Sequence, residues 1–570
     1  MKQWKKRALA ALLAALSLLC GCGLPELLGG EEKPVDNVKV SDAYFGLAWY
    51  QNGTLNPVLD NTSINRVLCE ALYEGLFEVT NNFTAENVLC ESYTGDGTTF
   101  TFTLREDVQF WSGETLSASD VVASLQAAQY NEESPFHNRL VEVSSIQAVS
   151  EREVHITLSS PNINFPRLLD IPIIRSGSAN SGSFADGTGP FKPVENDRTW
   201  TLEANENWHG GFLGSIRKIT LVTMTRADAA MSSFQTGDVS LMRAARIAPD
   251  PPSVGGSVNT VQTTSASLHY LGINYANDKL ANATVRQALS LALSRQSLCD
   301  TQLQTFADPA VLPVNPQPSG DNLSFNLSAD INQAAQLLRE GLNGGGDTDT
   351  PDGDAEGDDT GGGSDDTDDE YTDDGYDDTD DEYIDDGYDD TDDTDGDTDD
   401  GDDTDAGSTG VGSNYTGETL SIRLLVNSDN SFKVAAAEQI AASWNALDGV
   451  TVTVDKQPYD TFISMLQSGN FDVYYGETQL TADFDLRPLL SSGGSLNYGG
   501  YSSSEMSSAI AAARSGENVS AFYQLFLEQM PIIPIAFERG QMIIRKGLID
   551  NYAPSPYNAF AGLETWTSTV

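Results

Sequence analysis

Basic residues are scarce in this chain: 31 Lys and Arg stand against 84 Asp and Glu over 570 residues, a formal charge of −53. That balance excludes a nucleic-acid partner, because phosphate binding needs a basic face that releases counterions. Histidine is scarcer still. The four, at 137, 155, 209 and 269, form no HExxH or similar pairing, and neither a GxSxG elbow nor a GxxxxGK[ST] loop occurs. The chain therefore reads as a protein that is no enzyme and carries neither cofactor nor metal. Of five cysteines, Cys69, Cys90 and Cys299 each follow an apolar residue without CxxC or Cys/His spacing, and read as buried free thiols. One disulfide among them fits an extracytoplasmic protein as well. A long hydrophobic run is also missing. The longest, Ala8 to Leu19 broken only by Ser17, falls short of the roughly 20 residues that span a bilayer.

What is present begins with an address. Lys2, Lys5, Lys6 and Arg7 precede that apolar run, the n-region and h-region of an export signal. Leu19-Cys20-Gly21-Cys22 resembles a bacterial lipobox, which implies a signal peptide over 1–21, diacylation of Cys22 and a lipid-anchored tether over 22–41. The alternative is simple cleavage to a soluble secreted form.

The negative charge is concentrated. Between Asp347 and Asp405 lie 32 of the acids and no base, leaving 52 acids against 31 bases elsewhere, an ordinary acidic body. The tract repeats itself, DDTDDEYTDDGY at 365–376 and DDTDDEYIDDGY at 377–388. With few aliphatic side chains and strong self-repulsion it is expected to form a disordered insertion over 345–410. No Asp-x-Asp-x-Asp-Gly loop closes with Glu at its twelfth position, so the expectation is loose counterion binding rather than calcium sites.

Outside the tract, helical and strand periods alternate. NRVLCEALYEGLF (65–77) has helical spacing, TFTFTL (99–104) strict alternation, and Ser117 to Asp120 caps a helix. Strands are expected at 154–158, 200–204, 218–222, 268–274, 418–427 and 450–456, and helices at 283–298, 331–342 and 434–447. The mixture predicts an α/β fold.

Several segments resemble the peptide/nickel class (family 5) of extracytoplasmic solute-binding proteins, the receptors of ABC importers. Leu55-Asn56-Pro57 with ALYEGLF (71–77), then GTTFTFTLREDVQFWSGETLSASDVV (97–122), is similar to that family's signature. So are Gly187-Thr188-Gly189-Pro190-Phe191, NENWHGG (205–211) and VRQALSLALSR (285–295). Most of these read as scaffold, with the GTGP glycines relieving backbone strain in a turn; Trp208 reads as a core aromatic, with a ligand platform the alternative. The resemblance implies a two-lobed periplasmic-binding-protein-like fold of the large, three-subdomain (dipeptide/oligopeptide-binding) type. Lobe I would span 42–265, completed by 535–570, and lobe II 266–534.

It also implies a peptide held extended between the lobes, its backbone bonded like an added strand and its ammonium held by a buried Asp. Leu480-Thr481-Ala482-Asp483-Phe484 looks like the family's Trp-x-Ala-Asp-Tyr, which makes Asp483 the ammonium residue and Leu480 a departure that alters a side-chain pocket. Gly476, Glu477 and Thr478 would supply backbone partners, with Asn497, Tyr501 and Asn56 as further contacts. A capping or surface role is the alternative for Asp483. The implied partners are a peptide or other small solute, an ABC permease with its ATPase, and the outer face of the cytoplasmic membrane through the lipid anchor, the receptor acting as a monomer. Two alternatives stand beside this: the same scaffold binding nickel or a metal chelate, and a surface scaffold or adhesin working through the acidic tract.

Overall fold

The computed structural model describes residues 43–50, 53–179, 183–197, 199–211, 214–226, 229–249, 251, 255–318, 327–343 and 417–568. The leader, Cys22, the tether and the acidic insertion lie outside them. In chain order the strands and longer helices are β1 (Gly46–Tyr50), α1 (Ser63–Leu72), β2 (Phe77–Val79), β3 (Ala85–Asn87), β4 (Cys90–Gly95), β5 (Thr99–Leu104), α2 (Ala118–Tyr130), β6 (Val143–Ala148), β7 (Glu153–Leu158), β8 (Phe191–Asn196), β9 (Thr199–Ala204), β10 (Lys218–Met224), α3 (Ala229–Thr236), β11 (Leu241–Ala244) and β12 (Val258–Thr263). There follow β13 (Ser267–Ile273), α4 (Ala283–Leu291), β14 (Ala307–Pro309), α5 (Ile331–Asn343), β15 (Leu420–Asn427), α6 (Ser431–Asn445), β16 (Val450–Gln457), α7 (Tyr459–Gln467), β17 (Val473–Gln479), α8 (Ser504–Arg514), α9 (Val519–Gln529), β18 (Ile533–Glu538) and β19 (Gly540–Arg545).

Two large mixed sheets organise these elements. The first has the order β12-β19-β11-β1-β10-β9-β8, the second β14-β18-β13-β17-β15-β16, and a smaller antiparallel sheet, β4-β5-β7-β6, belongs with the first. Each large sheet centres a core. Phe100, Phe102 and Leu104 of β5 enter the first core while the intervening threonines stay at its surface, as the alternation predicts. β13 is buried along its whole length, because β17 and β18 flank it and both its faces are covered. β15 and β16 pair in parallel with α6 as the crossover; Asn430 caps that helix, and its buried face includes Ile440 and Trp444.

The chain passes between the sheets at 264–266 and again at Arg539. β18 stays in the second sheet, so the return falls four residues beyond the boundary expected from sequence. Val79 and Phe83, from the first lobe, pack into the second lobe's core, where Phe83 meets Phe484 at 4.8 Å between ring centroids and Tyr557 at 6.4 Å. No helix among the described residues is long and apolar enough to cross a membrane. Cys69, Cys90 and Cys299 are free thiols.

Two helices differ from their sequence pattern. The helix expected to reach Phe77 ends at Leu72: Tyr73 is extended, and Phe77 begins β2. The 283–298 helix breaks after Leu291. Arg295, fully buried, donates to the carbonyls of Pro534 and Ser290 and to the Ser290 hydroxyl. Drawing a guanidinium inward, with every bond made to neutral oxygen, takes a local departure from the straight helix.

Candidate functional site

The segment after β17 carries Asp483 to the junction of the two lobes. Its side chain is 2% exposed. It accepts a 2.8 Å hydrogen bond from Asn162 Nδ2 across the junction and another from the Thr481 hydroxyl, with Arg514 Nη1 at 3.6 Å. Burial raises its pKa above the usual carboxylate range. Beside it, Glu142 of the first lobe pairs with Arg487 and Arg514 of the second, and Asp485 also pairs with Arg487. Three carboxylates thus share two guanidiniums. Burial, the largest single influence, opposes ionisation of Glu142 and Asp485, but the Arg487 hydrogen bonds and the charges of Arg487 and Arg514 together outweigh it and hold both carboxyls low.

A cavity of about 340 Å³ opens beside Asp483 and is walled by both lobes: Ile163, Asn164 and Arg167 on one side, Phe484, Arg514, Phe522 and Tyr523 among the residues on the other. Arg167 has no side-chain hydrogen bond and no ion pair among the described residues. Burial lowers its pKa and the Asp483 charge opposes that shift. One wall therefore presents an acid and the opposite wall an uncommitted guanidinium. Neither Arg167 nor Asn162 was singled out from sequence; Asn162 meets its partner Asp483 across more than 300 residues of chain.

The other expected contacts are distributed differently. Leu480 N donates to Ala266 O, so in this antiparallel ladder Gly476 and Thr478 spend their backbone groups on β13 while Glu477 turns its own to the opposite edge. β15 covers that edge only at Val473 and Tyr474, so Glu477 and Gln479 have no strand partner there among the described residues. The Glu477 side chain pairs with Lys433 at 2.6 Å. Leu480 is buried in the second core and does not line the cavity. Asn497 clasps the Ser491 and Tyr501 carbonyls and the Tyr501 N–H, and Tyr501 bonds Gln529, so these two build a loop apart from Asp483. Asn56 accepts from the Val58 N–H in its own turn and does not reach the cavity.

Three sequence motifs converge on Glu74 instead. Its carboxylate accepts from the Thr188 hydroxyl at 2.9 Å, Trp208 Nε1 at 2.9 Å and His209 Nε2 at 3.0 Å. Gly187 and Gly189 lie outside the left-handed region, so strain relief is not their role. A Cβ on Gly189 would stand 2.5 Å from the Leu72 carbonyl, and one on Gly187 2.6 Å from the Tyr73 ring. Close approach to the end of α1 is what excludes a side chain. Trp208 also lines a second cavity, likewise about 340 Å³, formed within the first lobe and the C-terminal segment.

Residues 84–367 match the family model described as bacterial extracellular solute-binding proteins, family 5 middle. The glutathione-binding protein GsiB of Salmonella typhi is 26% identical over 307 residues, 50% of this chain and 59% of that protein. The chain thus matches well under two thirds of that curated relative's length. Among solved structures, the oligopeptide-binding protein AppA of Bacillus subtilis, in complex with a nonapeptide, shares 18% identity at a TM-score of 0.54, over 92% of this chain and 99% of that one. NikZ of Campylobacter jejuni, in complex with Ni(L-His), shares 18% at a TM-score of 0.56 over the same fractions. At such identities the two structures speak to the fold alone.

Proposed function

Because the chain belongs to the family 5 bacterial extracellular solute-binding proteins, we propose that it is the receptor of an ABC importer that captures short peptides between its lobes and passes them to a permease. The observation that carries this reading is the cavity between the lobes, where Asp483 and Arg167 face one space. A zwitterion fits that pair: the ligand ammonium would complete a buried carboxylate, and the ligand carboxylate would take up a guanidinium that has no partner. The backbone of a longer ligand would add to the β17 edge at Glu477, which favours main-chain recognition and tolerance of side chains.

In this reading the receptor makes and breaks no bond. Ligand binding shifts the lobes toward the closed form, and the closed form docks on the permease, whose ATPase supplies the energy. Diacylation of Cys22 would hold the receptor as a monomer at the outer face of the cytoplasmic membrane.

Isothermal titration with di- to octapeptides, free and N-acetylated, tests the assignment. Free peptides should bind at least tenfold more tightly than their acetylated counterparts. Equal affinity removes the Asp483 role, and a response to nickel with L-histidine in place of any peptide favours the chelate reading.

A further inference from the structure

One face of the second sheet carries a group of side chains that the interlobe cavity does not use. His269 lies on β13, directly across from Glu477 of β17, and Glu538 ends β18 on the other side. One donor atom from each of the three lies within 4.8 Å of the others. His269 is fully buried. The Tyr475 hydroxyl stands 3.2 Å from Nδ1, which leaves Nε2 as the free ring nitrogen, and Nε2 has no hydrogen-bond partner.

Burial keeps this imidazole neutral, its pKa pushed down to about 4. With Nδ1 taken up by the tyrosine hydroxyl, Nε2 is the ring nitrogen left uncompensated inside the protein. No neighbouring group donates to it: Glu477 is engaged by Lys433 and Ser267, and Glu538 makes no hydrogen bond to Nε2. Glu477 accepts from the Ser267 hydroxyl at 3.1 Å and from Lys433 Nζ at 2.6 Å, while Glu538 accepts from the Ile247 N–H at 3.4 Å. The Lys433 ammonium is thus committed to Glu477.

We propose that His269 Nε2, Glu477 and Glu538, none of which lines the interlobe cavity, bind a divalent ion of the zinc or nickel type. One imidazole nitrogen with two carboxylate oxygens is a borderline donor set, suited to those ions rather than to calcium or magnesium, which prefer oxygen throughout. With Nε2 on the ion, Nδ1–H would donate to the Tyr475 oxygen, the kind of outer contact that orients a ligating histidine. Bonds of about 2.0–2.2 Å require the donor atoms to close in from their present spacing, by rotation about the glutamate side-chain torsions. Lys433 must then leave Glu477, so the lysine competes with the ion.

That competition makes the test decisive. The full chain, without an affinity tag and stripped with EDTA, is titrated with ZnCl2 and NiCl2 by calorimetry, and with CoCl2 by visible absorption. One saturable event is expected above the weak background of the acidic tract. E538Q and H269Q should weaken it at least tenfold, and K433M, which removes the competitor while leaving all three donors, should tighten it several-fold. A binding curve unchanged in E538Q, or one weakened rather than tightened in K433M, overturns the proposal, and neither variant depends on the His269 substitution folding. Displacement of the ion by peptide would overturn its separation from the solute cavity.

Discussion

Asp483 and Arg167 are useful because each predicts a different loss. D483N keeps the shape of the cavity and removes the charge. A charge-assisted hydrogen bond is worth about 1.5–3 kcal/mol, so free peptides should lose roughly ten- to hundredfold in affinity by calorimetry, while N-acetylated peptides change little. R167M should reverse the pattern, weakening peptides with a free carboxylate and sparing their C-terminal amides. Glu538 gives a pH prediction. Burial first, and Glu477 second, raise its pKa from 4.5 to about 7. Folded chain then holds a proton that unfolded chain releases near pH 4.5, so the stabilisation is complete below that pH and is lost as pH rises through 7. In metal-free buffer the melting temperature should fall between pH 5 and 7, and E538Q should flatten that slope. At this scale the sequence was informative in one direction only. Asp483 could be singled out because its neighbours form a segment; Asn162 and Glu142 act through partners more than 300 residues away, and local pattern carries no trace of such pairings.

At the scale of the element, strands were the most legible. β5 and β7 alternate because one face meets the first core and the other does not. Helix ends were less so. Leu76 and Phe77 continue the apolar spacing of α1 but lie beyond its end, Phe77 opening β2, since apolar residues there serve the core from either conformation. Arg295 misled for the opposite reason: a charged residue marks a solvent face in most helices, and here it is buried among carbonyls. The β17 strand supplies a packing prediction. A Cβ on Gly476 would stand 2.6 Å from the ring of Tyr270, itself buried. Overpacking of this kind costs about 1–3 kcal/mol, so G476A should lower the urea midpoint, and adding Y270L should recover part of the loss.

For the whole molecule, the two sheets and the double passage between them were implied by family resemblance and not by periodicity, which is silent on how sheets are shared along a chain. The lobes meet through Phe83 and its aromatic neighbours and through Glu142 with Arg487 and Arg514. E142Q removes the charge from that second contact. Its radius of gyration by solution scattering should exceed that of the parent chain without ligand, and the two should converge once peptide is saturating. The acidic segment enters from the end of α5 and leaves into β15, and neither element lines the interlobe cavity. Deleting 347–405 should therefore leave peptide affinity within twofold of the parent, and a loss of binding would favour a working role for the tract. The same junction has a practical use. A fluorescent domain spliced between α5 and β15 would ride on one lobe without touching the ligand, and a dye on the other lobe would turn each capture event into an optical signal.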